Sequence, residues 1–313
     1  MIPETRHPYF ITKIDLEEYI LTTQRIAVLI TCHNRKDKTI ACLQSLSKQT
    51  LDSNILLDIY VVDDGSTDGT ESSIQSMFPD VILLRGDGNL FWAGGTRLAF
   101  NIAKEKDYDF YLWLNDDVLL YKHTIGGLIS SHKTLARDNE TPAIVVGSTI
   151  DEDNGELTYG GVVRSNPKWR PLQFQQVKPS SKLQECETMN GNCVLIPRDV
   201  ANKVGNLDSR FSHGIADYHY GLRARSLGCS IWISPEYSGT CARNLADGTW
   251  QDTSLSVRDR WRLLLDIKHL PLKEWRILAK EHAGFFWIIY WLSPYLRFLL
   301  SSVLGKRTVS QEP

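Results

Sequence analysis

Short apolar runs along this chain stop abruptly at polar clusters, and stretches of helical spacing lie between them. Residues 26–30, 59–62, 81–84 and 110–114 are continuous apolar runs with no inside–outside alternation. Such runs predict strands buried on both faces. Between them, residues 37–49 repeat apolar side chains at Ile40, Leu43 and Leu46, and residues 70–77 and 96–106 are further helix candidates. Regular alternation of strand and helix predicts a parallel sheet with right-handed crossovers. The second half is less regular. There, residues 143–146, 194–196 and 230–233 read as strands, 199–204 and 218–227 as helices, and 164–182 as a polar, proline-containing loop. From about Ser254 the chain becomes Trp- and Leu-rich and helical, with its most apolar stretches at 285–292 and 296–304.

At 313 residues, with 42% hydrophobic content, the chain has ample material for a core, as one large or two modest domains. A formal net charge of −2 supplies no global basic field, so nucleic acid is not an expected partner. The six cysteines form no C-x-x-C pair and no His/Cys cluster at metal spacing, which fits a reducing compartment. Residues 1–19 carry Glu4, Asp15, Glu17 and Glu18 and no apolar segment, so no signal peptide is expected and the expected location is cytoplasmic.

Candidate chemistry gathers where the apolar runs end. The first run ends in Thr31-Cys32-His33-Asn34-Arg35, the second in Asp63-Asp64-Gly65-Ser66-Thr67-Asp68-Gly69-Thr70, and the fourth in Asn115-Asp116-Asp117. In parallel sheets, ligands bind at the carboxyl ends of strands. Acidic pairs at two such ends point to one site handling a nucleotide and a divalent cation. Each motif has a plainer reading: Asp-Gly-Ser-x-Asp is also turn chemistry, and Asn-Asp-Asp also caps helices.

Together these segments resemble the inverting nucleotide-sugar glycosyltransferases of family 2, which have the GT-A fold, over roughly residues 25–245. Thr31 to Arg35 resembles that family's T-x-x-N-R opening, and Val62 to Thr70 its V-D-D-G-S-x-D-x-T. Asn115-Asp116-Asp117 stands at its D-x-D-type metal motif, and Ala216-Asp217 with Gly221-Leu222-Arg223-Ala224-Arg225 resembles its catalytic-base segment. The resemblance implies an α/β GT-A catalytic domain over residues 25–250, after an N-terminal extension of 1–24. Residues 25–122 would be the nucleotide-sugar half and 123–250 the acceptor half, followed by a helical region of 251–313.

For the donor, the resemblance implies contacts from Thr31, Asn34, Arg35, Asp63, Asp64, Trp92, Gly94, Gly95, Asn115 and Asp116, with the nucleobase on Asp64. It implies Asp117 as ligand of a divalent cation, Mn²⁺ or Mg²⁺, and Asp217 as catalytic base. Asn190, Gly191 and His213 would bound the acceptor cleft. The implied donor is a nucleoside-diphosphate sugar, UDP- or dTDP-linked, and the implied acceptor is a glycan or polyprenyl-linked saccharide. The expected role, as in bacterial rhamnosyl-type enzymes, is cell-surface polysaccharide assembly of the O-antigen or capsule type.

Several alternatives stay open at the level of sequence. Asp217 also reads as an N-terminal helix charge, with Ala216 replacing the family's second acidic residue. Residues 88–95 read either as a glycine-rich donor loop with Trp92 near the sugar, or as tight strand-to-helix packing. Many relatives place a late histidine on the metal. Here residues 238–244 contain none, and Arg243 is a candidate for the leaving-group charge instead. Arg260-Trp261 matches only the end of the Q-x-x-R-W signature of processive synthases, which favours adding one sugar or a few. Residues 285–304 are just long enough to span a bilayer, but Pro294 and Arg297 interrupt them. A helical pair in the membrane interface, with Arg297, Lys306 and Arg307 near headgroups, stands beside packing on the catalytic domain or a homodimer contact. A nucleotidylyltransferase and a non-catalytic sugar-nucleotide-binding protein are the competing functions.

Overall fold

The computed structural model describes residues 23–138, 141–243 and 248–304. Most of the N-terminal extension, Asn244, Lys306 and Arg307 lie outside these described residues. In the first half, β1 (Gln24–Cys32), α1 (Lys36–Ser47), β2 (Ile55–Asp63), α2 (Thr70–Met77), β3 (Ile82–Arg85), α3 (Phe91–Lys104) and β4 (Phe110–Leu114) alternate as the apolar pattern predicts. β4, β1, β2 and β3 lie side by side in that order, each pair parallel. The continuous apolar runs have a simple cause. Successive residues of a strand face opposite sides, so Ala27 and Leu29 enter one core while Ile26, Val28 and Ile30 enter the other.

The second half departs from the parallel expectation. It comprises β5 (Leu119–Leu120), α4 (Thr124–Asp138), β6 (Ala143–Ile150), β7 (Leu157–Tyr159), β8 (Gly161–Asn166), β9 (Arg170–Gln176), β10 (Gln184–Glu185), β11 (Thr188–Met189), β12 (Cys193–Pro197), α5 (Arg198–Val204), α6 (Ala216–Ser226) and β13 (Ser230–Thr240). The sheet runs β10-β13-β6-β12-β4-β1-β2-β3, with β5 on β13 and β7 on β6. β12 is antiparallel to both β4 and β6, whereas β13 is parallel to β6. β13 also runs past Pro235, and its register against β6 shifts between Ile233 and Tyr237. An irregularity there tolerates a residue with no N–H to give the ladder.

The loop expected over 164–182 is corrected. β8 and β9 form a hairpin that joins β11 in a separate three-stranded sheet. Its polar residues have partners the sequence does not reveal: Arg164 pairs with Glu187 and lies over the Phe174 ring. Val162 and Phe174 are buried beneath.

Gly94 and Gly95 require a second correction. They lie inside α3, not in a loop, and the close-packing alternative holds. A Cβ on Gly95 would sit 2.3 Å from Thr31 Cγ2. Gly95→Ala is therefore expected to destabilise the fold by roughly 1–3 kcal/mol through overpacking. Gly127 in α4 has open space around it. Gly127→Ala should be neutral or stabilising, because alanine favours the helix. Chemical denaturation midpoints of the two variants check the contrast.

Three helices close the described chain: α7 (Val257–Leu264), α8 (Leu272–His282) and α9 (Trp287–Leu304). α9 packs on α8, burying Tyr295 and Phe298, and contains Pro294. No described helix is long and apolar enough to cross a membrane. Residues 287–304 form one helix, whose helical packing partner is α8 rather than a second helix within 285–304. Arg260 and Trp261 are structural: Arg260 donates to the Trp250 carbonyl and Trp261 packs on Phe298.

Candidate active site

One cavity of about 990 Å³ opens at the carboxyl ends of β1, β2 and β4. Its wall includes Asp64, Asp117 and Asp217, which are far apart in the chain. Thr31, Arg35, Trp92, Asn115 and Asp116 also line it, as do Asn190, Gly191 and His213. Four expected donor contacts do not line it: Asn34, Asp63, Gly94 and Gly95.

The split between Asp63 and Asp64 follows from strand geometry. Asp63 is the last residue of β2 and turns inward, where its Oδ1 accepts from the Ser66 N–H at 2.9 Å. Asp64 faces the cavity. Its Oδ1 accepts from the Gly88 N–H and its Oδ2 from the Phe91 N–H, each at 2.9 Å. Phe91 has φ +54°, a left-handed conformation costly for a bulky residue. Asp64 thus holds the 88–91 turn, and with it the start of α3. Asn34 (φ +49°) ties two turns together, accepting from the Thr67 N–H at 2.7 Å. His33, overlooked in the motif reading, lines the cavity. Its Nδ1 lies 2.6 Å from the Asp64 carbonyl and its Nε2 3.0 Å from the Asn34 amide. The consistent arrangement has Nδ1–H donating to the carbonyl while Nε2 accepts from Asn34.

At the end of β4, Arg35 bridges Asp116, at 3.1 Å, and Asp117. Asp116 is 3% exposed, and burial, only partly opposed by Arg35, pushes its carboxyl up to about 6. Asp117 reaches the cavity and accepts from the Cys241 thiol, with Sγ 3.5 Å from Oδ1. Cys241 is a second overlooked residue. It follows β13, in the segment where the late histidine was sought, and burial raises its thiol to about 12. Arg243 turns instead to Gln176 and does not line the cavity. Both carboxylates line the cavity, Asp117 the less buried of the two, and together they present oxygen donors there. That donor set fits a hard divalent cation, and Asp117 is the residue that would hold it.

Asp217 is the second residue of α6, which Ala216 opens directly after Ile215, whose φ of +59° is unusual for a β-branched residue. Its Oδ2 accepts from the Gly191 N–H at 2.8 Å, and burial raises its carboxyl to about 6 despite that bond. Gly191 is wedged in place: a Cβ there would lie 2.4 Å from the Trp92 ring and 3.4 Å from Asp217 Cβ. Trp92 stands edge-on to Trp113, and Trp113 edge-on to Tyr220, which anchors this wall in the core. His213 Nδ1 accepts weakly from the Trp92 N–H at 3.4 Å. Burial, then Lys268, pushes His213 down to about 4, so it is neutral at pH 7. Asn190 joins the wall to the β7–β8 turn, bonding the Gly160 carbonyl and N–H. Trp169, 76% exposed at the tip of the β8–β9 hairpin, also lines the cavity. Its segment read as loop, so nothing in the sequence drew attention to it.

A separate cluster lies outside the cavity. His219, Glu281 and His282 offer ligand atoms within 4.8 Å of one another. Glu281 is already engaged there, accepting from His219 and pairing with Arg210.

Comparison with known proteins identifies the family and the fold. The model of the family described as "Glycosyl transferase family 2" matches residues 27–205. An uncharacterized protein of Mycobacterium tuberculosis (strain ATCC 25618 / H37Rv) is 24% identical over 47% of this chain, and the chain spans 51% of that relative's length. An N-acetylglucosaminyl-diphospho-decaprenol L-rhamnosyltransferase of the same organism is 23% identical over 80% of this chain and 82% of its own. Among solved structures, S. aureus TarS 1-349 in complex with UDP-GlcNAc superposes with a TM-score of 0.54 at 14% identity, covering 89% of this chain and 73% of that one. The complex of the same fragment with UDP gives 0.51, covering 82% and 70%. At these identities the likeness concerns the fold, which is GT-A.

Proposed function

Since the chain belongs to glycosyltransferase family 2, we propose that it moves a sugar, with inversion, from a nucleoside-diphosphate donor to a hydroxyl of a lipid-linked saccharide. The observation that carries this reading is the single cavity shared by Asp64, Asp117 and Asp217. The donor's nucleoside sits by Thr31 and Asp64, and its diphosphate by Arg35 and Asp117. A divalent cation, Mn²⁺ or Mg²⁺, held by Asp117 would neutralise the charge of the departing diphosphate.

Asp217 takes the proton from the acceptor hydroxyl as that oxygen attacks the anomeric carbon. The bond to the diphosphate breaks on the opposite side, which inverts the configuration. Gly191 fixes the carboxylate through its N–H. A lipid-linked acceptor is supported by the relative acting on N-acetylglucosaminyl-diphospho-decaprenol. It is also supported by the outward side chains Phe285, Ile289 and Leu300, which are 91%, 61% and 60% exposed. The setting we infer is the cytoplasmic face of the plasma membrane, in cell-surface polysaccharide assembly. UDP- and dTDP-sugars are the donors to test first.

A thermal-shift screen of UDP-, GDP- and dTDP-sugars with Mn²⁺ or Mg²⁺ identifies the donor, and transfer is then followed with a lipid-linked N-acetylglucosamine acceptor. Pyrophosphate release from a nucleoside triphosphate and a sugar 1-phosphate would instead make the protein a nucleotidylyltransferase. Binding without hydrolysis or transfer would make it non-catalytic. The pH profile adds a sharper check. A base works only when ionised, and burial raises Asp217 to about 6. Transfer at saturating donor should therefore rise with pH through about 6 and level off above it. A rate that falls over this interval would remove Asp217 as the base. Asp116, also near 6, belongs to the donor side, so its titration should be seen in donor affinity.

A further inference from the structure

The cavity wall continues beyond the donor residues onto the C-terminal helices. Gly214 packs on the loop before α8, its would-be Cβ 3.4 Å from the Lys268 carbonyl oxygen. α9 is tied to the same loop, since the Tyr295 hydroxyl donates to the Leu270 carbonyl at 2.9 Å. The Trp291 indole donates to the Leu272 carbonyl at 3.2 Å. Lys268 and Arg297 thereby line the cavity that holds Asp217, and both are exposed. Among the described residues neither has a carboxylate within ion-pair distance.

α9 divides its faces by helical spacing. Trp291, Tyr295 and Phe298 pack on the protein, and Ile289, Ser293 and Arg297 face the cavity. Next to that stripe, Ile288, Leu292, Leu296 and Leu299 are exposed with nothing covering them. Ile289 belongs to both surfaces, lining the cavity while 61% exposed. Two uncompensated cations thus stand where an apolar outer surface meets the cavity that contains the candidate base.

We propose that Lys268 and Arg297 form a subsite for the diphosphate of an amphiphilic acceptor, whose hydrocarbon chain leaves along the exposed stripe of α9. This rests on the glycosyltransferase reading above and adds the acceptor's linking group to it. Charge-assisted bonds from an ammonium and a guanidinium suit a diphosphate. Apolar side chains at the boundary suit a chain that stays in the lipid. The sugar to be extended then projects toward Asp217.

The test uses the full-length protein with phosphatidylcholine vesicles that are plain, or doped with polyprenyl diphosphate, polyprenyl monophosphate or phosphatidylglycerol. Co-flotation is measured beside UDP affinity. Wild type should prefer the diphosphate vesicles, and Lys268→Gln/Arg297→Gln should weaken that binding at least about tenfold, given the strength of bonds to charged groups. UDP affinity and the unfolding midpoint should not change. Equal binding to phosphatidylglycerol and diphosphate vesicles would overturn the subsite, as would a double variant that floats like wild type. A parallel loss of UDP affinity would assign the two cations to the donor and overturn it as well. If wild type binds no nucleoside diphosphate at all, the glycosyltransferase reading itself fails, whatever the vesicles show.

Discussion

Asp217→Asn is expected to lower sugar transfer by roughly 10²–10⁴-fold, the usual contribution of a positioned general base, while donor binding is retained. The asparagine carbonyl oxygen can still accept from the Gly191 N–H, so the α6 entry and the Trp92 wall should survive. The amide, however, cannot take the acceptor's proton at any accessible pH. Single-turnover transfer at saturating donor, beside calorimetric donor affinity, separates the two effects. Near-normal turnover would show that another group removes the proton. A joint loss of donor affinity and stability would show instead that Asp217 is a structural cap.

Asp117→Asn should act on the other half of the site. Removing the charge of the less buried of the two carboxylates that Arg35 bridges should weaken the metal-dependent part of donor binding at least about tenfold, since even an outer-shell change at a metal site typically costs 10–100-fold. Affinity measured in chelator should change little, because Arg35 keeps its partner Asp116. The same metal dependence in variant and wild type would take the ion away from Asp117. The Cys241 thiol beside this carboxylate gives a spectroscopic readout of the same contact. Co²⁺ substitution should show a thiolate charge-transfer band only if sulfur joins the coordination.

Much of the fold was legible in the linear pattern. β4 and α2 stand at their expected bounds, because a strand buried on both faces needs an unbroken apolar run and α2 follows directly on a turn motif. The β8–β9 hairpin was not legible. Its polar side chains are neutralised by residues such as Glu187, on the neighbouring segment, so its composition imitates a loop. Gly94 and Gly95 misled for a related reason: a glycine admitted for close packing in a helix looks the same in sequence as one admitted for a turn.

For the site, the sequence determined which residue types are available and which strand ends carry them. Apolar run lengths and the acidic clusters that stop them are local properties, independent of how the second half pairs. Only the tertiary structure decided which of those groups share a cavity. Adjacent strand residues point to opposite sides, so Asp63 is spent on a turn while its neighbour Asp64 faces the cavity. The contacts that bring Asp217 to Gly191, Cys241 to Asp117, and Lys268 and Arg297 to the same wall span long chain separations. Such contacts form when the sheet and the C-terminal helices pack, and no local pattern encodes them.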